Sequence, residues 1–219
     1  MGSRGSKSGS GIAQPTAQQP PTPQTQSLDE YLGPKGAAGD IQDALDSTNP
    51  HYDQSIQNRD GLYYKNCQRC VWAVELRRRG YDVEAKPRIM DGSDVAQKMD
   101  PNIPGSFVNG AKGGLDFTNH ETGSIFWKPK ASDVTSMIKN DFPDNSRGAL
   151  VMTGPGRGHV CNWELKNGKL TIYDGQTHTK HSVTEMMKKG FTRFQAARMD
   201  NVALSDVIKD FVRPKGGSY

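Results

Sequence analysis

A cysteine that directly follows a helix-capping residue and heads an apolar-periodic run is placed to be a nucleophile, and Asn66-Cys67-Gln68-Arg69-Cys70-Val71-Trp72-Ala73 has this form. Asn is a preferred N-cap. Counted from Cys67, residues Cys70, Val71 and Val74 recur at the i+3, i+4 and i+7 spacing of one buried helix face. Cys67 would then sit in the first turn, where unpaired backbone N–H groups and the positive end of the helix dipole favour a thiolate. The same N–H groups can hold an oxyanion, with Asn66 or Gln68 as further donors. A free cysteine is as often a small buried hydrophobe, and Cys70, one turn further in, reads that way.

A base and an orienting acid lie downstream. Gly158-His159-Val160-Cys161-Asn162-Trp163-Glu164-Leu165 and Leu170-Thr171-Ile172-Tyr173-Asp174-Gly175-Gln176 flank Lys166-Asn167-Gly168-Lys169, and Asn-Gly is the strongest short hairpin signal. A two-residue loop at Asn167-Gly168 fixes the register: Lys166 opposite Lys169, Leu165 opposite Leu170, Trp163 opposite Ile172, Cys161 opposite Asp174 and His159 opposite Gln176. All but the first pair share a face, apolar near the turn and polar at its open end. His159 and Asp174 become diagonal neighbours, at a Cα separation of about 7–8 Å that lets their side chains meet. A carboxylate so placed can hold an imidazole in one tautomer. A His and an Asp on a strand pair are often only a solvated face, but a nucleophile, base and acid account for all three residues together.

The elements that must position these groups read as mixed α and β. Leu28 to Asp46 suggests short helical turns broken at Gly33-Pro34 and ended by Ser47-Thr48-Asn49-Pro50. Cys67 to Arg79 is the central helix, stopped by Gly80, and Tyr81 to Lys86 alternates as a strand. Ser93 to Met99 reads as a short helix and Asp100 to Gly114 as a long Gly, Pro and Asn-rich loop of the kind that forms substrate-binding edges. Helix is expected over Ser132 to Asn140 and Val183 to Lys189, and strand over Gly148 to Thr153 and Phe191 to Met199. Gly154 to Gly158 should be a mobile turn delivering His159, and Leu204 to Val212 a closing helix. A cysteine helix followed by antiparallel strands is an α+β order.

Together, Asn66-Cys67-Gln68-Arg69-Cys70, Glu75 to Ala85, Gly158-His159-Val160 with Asn162-Trp163-Glu164, and Asp174-x-Gln176-Thr177 resemble the papain-fold toxin domains of the glutamine-deamidase type. These are domains of bacterial polymorphic toxins and of phage-head-associated proteins. The resemblance covers roughly Thr48 to Val212 and implies Cys67 as nucleophile, His159 as base and Asp174 as orienting acid, with Gln176 in a positional role. It implies a papain-like domain over 48–219, no cofactor and a protein substrate with a target glutamine. It also implies an immunity protein or phage-head partner and action as a secreted or injected effector or from a virion. The sequence departs from the family pattern at Cys161, where an apolar residue is expected, and at Gly175, where proline is common. A phage-head protein that uses the fold only for binding, a cysteine protease and a transglutaminase remain open alternatives.

Composition bounds these readings. The chain has 219 residues, 33% of them hydrophobic, and a formal net charge of +4, enough for one ordinary core. Residues 1–27 hold no acidic residue and run from Gly/Ser-rich to Pro/Gln-rich, as a disordered tail would, with 28–47 a short helical lead-in. The tail lacks the apolar stretch of a signal peptide, and no run is long enough to span a bilayer. Three cysteines, an odd number, argue against a disulfide framework. Cys67-x-x-Cys70 with His159-x-Cys161 could supply a zinc set, or Cys-x-x-Cys a redox pair. Arg77-Arg78-Arg79 is explained by its place at a helix C-terminus, with Glu75 pairing Arg79, so nucleic-acid binding is not indicated. His51, His120, His178 and His181 read as surface or structural residues.

Overall fold

The computed structural model describes residues 26–89, 122–127, 130–201, 204 and 206–217. Of the tail expected over 1–27, residues 1–25 lie outside the described residues, as do the helix at Ser93 to Met99 and the loop at Asp100 to Gly114, while Ser27 caps the first helix. In chain order the elements are α1 (Leu28–Leu32), α2 (Ile41–Thr48), α3 (Tyr52–Asn58), α4 (Cys67–Arg78), β1 (Val83–Ala85), β2 (Thr122–Trp127), α5 (Ala131–Asp141), β3 (Ser146–Gly154), β4 (Arg157–Lys166), β5 (Lys169–Asp174), β6 (Thr179–His181), α6 (Val183–Lys188), β7 (Arg193–Arg198), a 3₁₀ turn (Asp206–Asp210) and β8 (Val212–Pro214). Six strands form one antiparallel sheet in the order β2-β7-β3-β4-β5-β6, and β1 pairs with β8 in a separate ribbon.

The sheet is buried on both faces, which is why β3 and β4 read as nearly continuous runs of buried residues. One face packs Ala149, Val151, Val160 and Ala197 against Val71, Trp72 and Leu76 of α4, with Phe211 and Val212 closing the layer. The other packs Leu150, Met152, Cys161, Trp163, Ile172 and Phe194 against Val134 and Ile138 of α5 and Met186 of α6. Cys161 is fully buried there and serves as the small apolar residue its position calls for. Among the described residues no helix is long and apolar enough to cross a membrane.

Helix α4 is buried on nearly every side, with Arg69 through Leu76 all shielded, so its periodicity understates its burial. The polar members of that run are satisfied by pairing. Glu75 accepts from Arg79, the expected i+4 partner, at 2.8 Å and from Arg147 at 3.1 Å. Arg77 pairs with Asp82 and Arg78 with Glu164, so each arginine of the basic run has a carboxylate. The run is thus consumed inside the fold.

The hairpin at Asn167-Gly168 forms as expected. Both residues have positive φ, 52° and 68°, and pairing runs from Lys166 opposite Lys169 to Asn162 opposite Tyr173. The predicted register holds over this ladder, which ends there, so Cys161 with Asp174 and His159 with Gln176 are not ladder pairs, and Asp174 pairs with Thr179 of β6. After Asp174 the chain curls, because Oδ1 of Asp174 accepts from the Gln176 N–H at 2.9 Å and the Gln176 carbonyl accepts from Asn49 at 3.0 Å. Gln176 is thereby drawn beneath α4, and Asp174, expected at a polar open end, is 2% exposed.

Two other stretches take a more definite form than expected. Gly154 to Gly158 makes a turn, as a tight hairpin in which Gly154 pairs with Arg157 across Pro155-Gly156. The helix expected over Leu204 to Val212 forms only as a short 3₁₀ helix, Asp206–Asp210, and Val212 instead enters β8, where the Tyr31 hydroxyl caps its carbonyl at 2.7 Å. Pairing with β1 supplies the ladder bonds that a helix would have supplied.

Candidate active site

Cys67 is the first residue of α4 and stands partly exposed in a cleft of about 780 Å³. Arg69 N–H makes the first bond to the Asn66 carbonyl, at 2.9 Å, so the N–H groups of Cys67 and Gln68 precede the helical ladder. Gln68 lines the same cleft, and its Oε1 lies 3.7 Å from the Cys67 sulfur.

Asn66 differs from expectation. It makes no side-chain cap bond and is fully buried. Its amide donates to Asn49 and to the Lys86 carbonyl, both at 3.2 Å, while its Oδ1 accepts from the Cys70 thiol at 3.3 Å and from Gln176 at 3.4 Å. It therefore has no free donor for an oxyanion and instead knits α4 to the turn after β5. Asn49 completes that network by donating to the carbonyls of Tyr63 and Gln176. The sequence reading used Asn49 only as a helix stop, and no local signal marks a partner 127 positions away.

His159, near the start of β4, and Asp174, at the end of β5, meet across the hairpin: Nε2 lies 2.7 Å from Oδ2. Cys67 and His159 line the same cleft, close enough for the cysteine to influence the imidazole's protonation. Phe191 stacks behind the ring at a centroid distance of 6.3 Å, a contact the sequence reading did not foresee.

Burial alone would lower the His159 pKa. The charge and hydrogen bond of Asp174, joined by the influence of Cys67, override it and push the imidazole up to about 10. Burial likewise works to raise Asp174, and the His159 charge, its hydrogen bond and the Gln176 N–H outweigh it, leaving the carboxyl below its ordinary value. Imidazolium facing carboxylate is therefore the resident state at neutral pH. A raised histidine pKa stabilises the fold fully below the unfolded value of 6.5 and progressively less as pH climbs through about 10. The Asp174 contribution is present above 3.8 and lost on acidification through its lower folded value. Urea unfolding should thus show the advantage of the native chain over His159→Gln as greatest between those two unfolded values and declining on the alkaline side. A difference that stays constant up to about pH 10 would contradict the imidazolium.

Cys70 is inert by comparison: burial drives its thiol pKa well up, and the nearby Asp174 and Cys67 add to the effect. No disulfide links Cys67, Cys70 and Cys161. Among the described residues no group of three or more His, Cys, Asp or Glu side chains converges as ligands for a metal ion, so the zinc arrangement open to the sequence is not formed by these side chains.

Gly175 explains its own departure from proline. A Cβ there would lie 2.5 Å from Cγ2 of Val74 and 3.1 Å from Cγ2 of Thr48. Gly175→Ala should therefore push the turn off α4, costing about 1–3 kcal/mol of stability in chemical denaturation. It should also slow turnover, because Asp174 and Gln176 flank the displaced residue. Unchanged stability would mean that the close approach is absent in solution.

A cysteine heading a central helix that packs on an antiparallel sheet, with a carboxylate-held histidine on that sheet, defines the papain-like class of α+β proteins. The sequence model of one family, papain fold toxin 1, glutamine deamidase, matches residues 65–179. The match covers more than half of the chain and spans Cys67, His159 and Asp174, and the protein belongs to that family. A comparison with curated proteins found no match.

Proposed function

We propose that this protein is a cysteine-dependent deamidase that converts a glutamine side chain of a target protein to glutamate, acting as a toxin. The observation that carries the reading is the imidazole of His159, held by Asp174 at 2.7 Å in the cleft that it shares with Cys67 at the head of α4. With the proton already resident on His159, Cys67 acts as a thiolate that attacks the carboxamide carbon as the C=O π pair moves onto oxygen. The N–H groups of Cys67 and Gln68, with the Gln68 amide, receive that oxyanion. His159 gives its proton to the amide nitrogen, the C–N bond breaks and ammonia leaves a thioester. Water then attacks the thioester carbon, one of its protons goes to His159, and the C–S bond breaks to release glutamate and regenerate the thiolate. Asp174 fixes the imidazole, and Gln176 and Asn49 fix the turn that carries Asp174.

The test is a mass-spectrometric search for single-dalton Gln-to-Glu shifts in target-cell proteins, coupled to ammonia release. Shifts present with the native chain and absent with Cys67→Ala are the expected result. Proteolytic fragments or amine-crosslinked products without such shifts would replace deamidation by another reaction of the same thioester.

A further inference from the structure

The cleft around Cys67 is lined by four cationic side chains that the proposed chemistry does not use. Lys65 precedes α4, Arg88 follows β1, Arg157 opens β4 and Lys189 follows α6. They come from separate stretches of chain, so no single basic run accounts for them. Lys65, Arg157 and Lys189 are exposed, and Arg88 is partly so. Among the described residues none of the four pairs with a carboxylate, although Arg77, Arg78 and Arg79, elsewhere in the fold, are each so paired. The lining includes one carboxylate, Asp174, which is buried and already bound to His159. The cleft is thus markedly more positive than a chain of net charge +4 requires.

We infer that the substrate glutamine lies in an acidic segment of its target protein, with Asp or Glu residues flanking it to meet these cations. The inference rests on the deamidase reading of the same cleft. Like charges focused in a concave site raise the local concentration of an oppositely charged segment and speed its capture. A nucleic acid would satisfy the charge but offers no carboxamide side chain to the thiol. Of the cleft's two aromatics, Phe191 is buried against His159, and the partly exposed Tyr64 carries the Lys65 ammonium over its ring at 5.3 Å.

The test uses the full chain and synthetic peptides of one length with a central glutamine, flanked by Glu and Asp, by Ser and Ala, or by Lys. Fluorescence anisotropy with Cys67→Ala reads binding, and ammonia release with the native chain reads turnover. The acidic peptide should bind about 10-fold or more tighter than the neutral one at low salt, and the margin should shrink as salt screens it. Arg88→Gln combined with Arg157→Gln should erase most of the margin while leaving affinity for the neutral peptide in place. Equal affinities, a salt-insensitive preference, or a single-stranded DNA oligomer that binds as tightly as the acidic peptide would overturn the inference. Ammonia released equally from all peptides would also overturn it while leaving the deamidase reading intact. Selective binding of the acidic peptide without ammonia from any peptide would uphold the charge preference and count against the deamidase reading.

Discussion

Replacing Cys67 by alanine should abolish ammonia release, lowering turnover by about 10⁴-fold or more, because no other group in the cleft can form the thioester. The variant should fold normally, since Cys67 is partly exposed and its sulfur is not part of the sealed core. Cys70→Ala is the control. Its thiol is 1% exposed and donates to Asn66, so the change should cost about 1–3 kcal/mol through a small cavity and one lost hydrogen bond while kcat stays near native. Circular dichroism separates the two effects. Equal loss of activity from both changes in folded protein would remove Cys67 from the role of nucleophile.

Asp174→Asn should slow turnover by about 10⁴-fold, because an amide facing Nε2 no longer enforces the imidazole's proton arrangement or balances its charge. The alkaline limb of kcat/KM should move as well. In the native chain it is expected near the His159 value of about 10. Without the carboxylate, the charge and hydrogen bond that raise that value are gone and burial, which lowers it, prevails, so the limb shifts to lower pH. A variant with reduced turnover and an unmoved limb would mean that Asp174 acts only as a packing element. Because Asp174 is 2% exposed, a stability cost of about 1–3 kcal/mol should accompany the kinetic one.

The parts of this site legible in the sequence are those written in local signals. Asn167-Gly168 dictates a turn with positive φ at both residues, and that turn alone brings His159 within reach of Asp174. The head of α4 was legible from the position of Cys67 before an apolar run, although Asn66 marks it by its place in the chain and not by capping it. What escaped was settled by distant partners. Asn66, Asn49 and Gln176 exchange hydrogen bonds between segments far apart in the chain, and polar residues of this kind read locally as caps and turns. Val212 to Pro214 is too short to show a strand period, and only β1 makes it one. Helix α3 has no side-chain cap at His51, so nothing in the sequence announces its start.

The distribution of the three thiols also lets the protein report on its own integrity. Cys161 and Cys70 are sealed in the two apolar layers on opposite faces of the sheet, and Cys67 alone opens to the cleft. A thiol reagent added to native protein should therefore be consumed in a one-to-one ratio, and in denaturant in a three-to-one ratio. The first ratio counts active centres in a preparation and the difference counts intact cores, so that lost activity can be assigned to a spent nucleophile or to an opened fold without any substrate in hand.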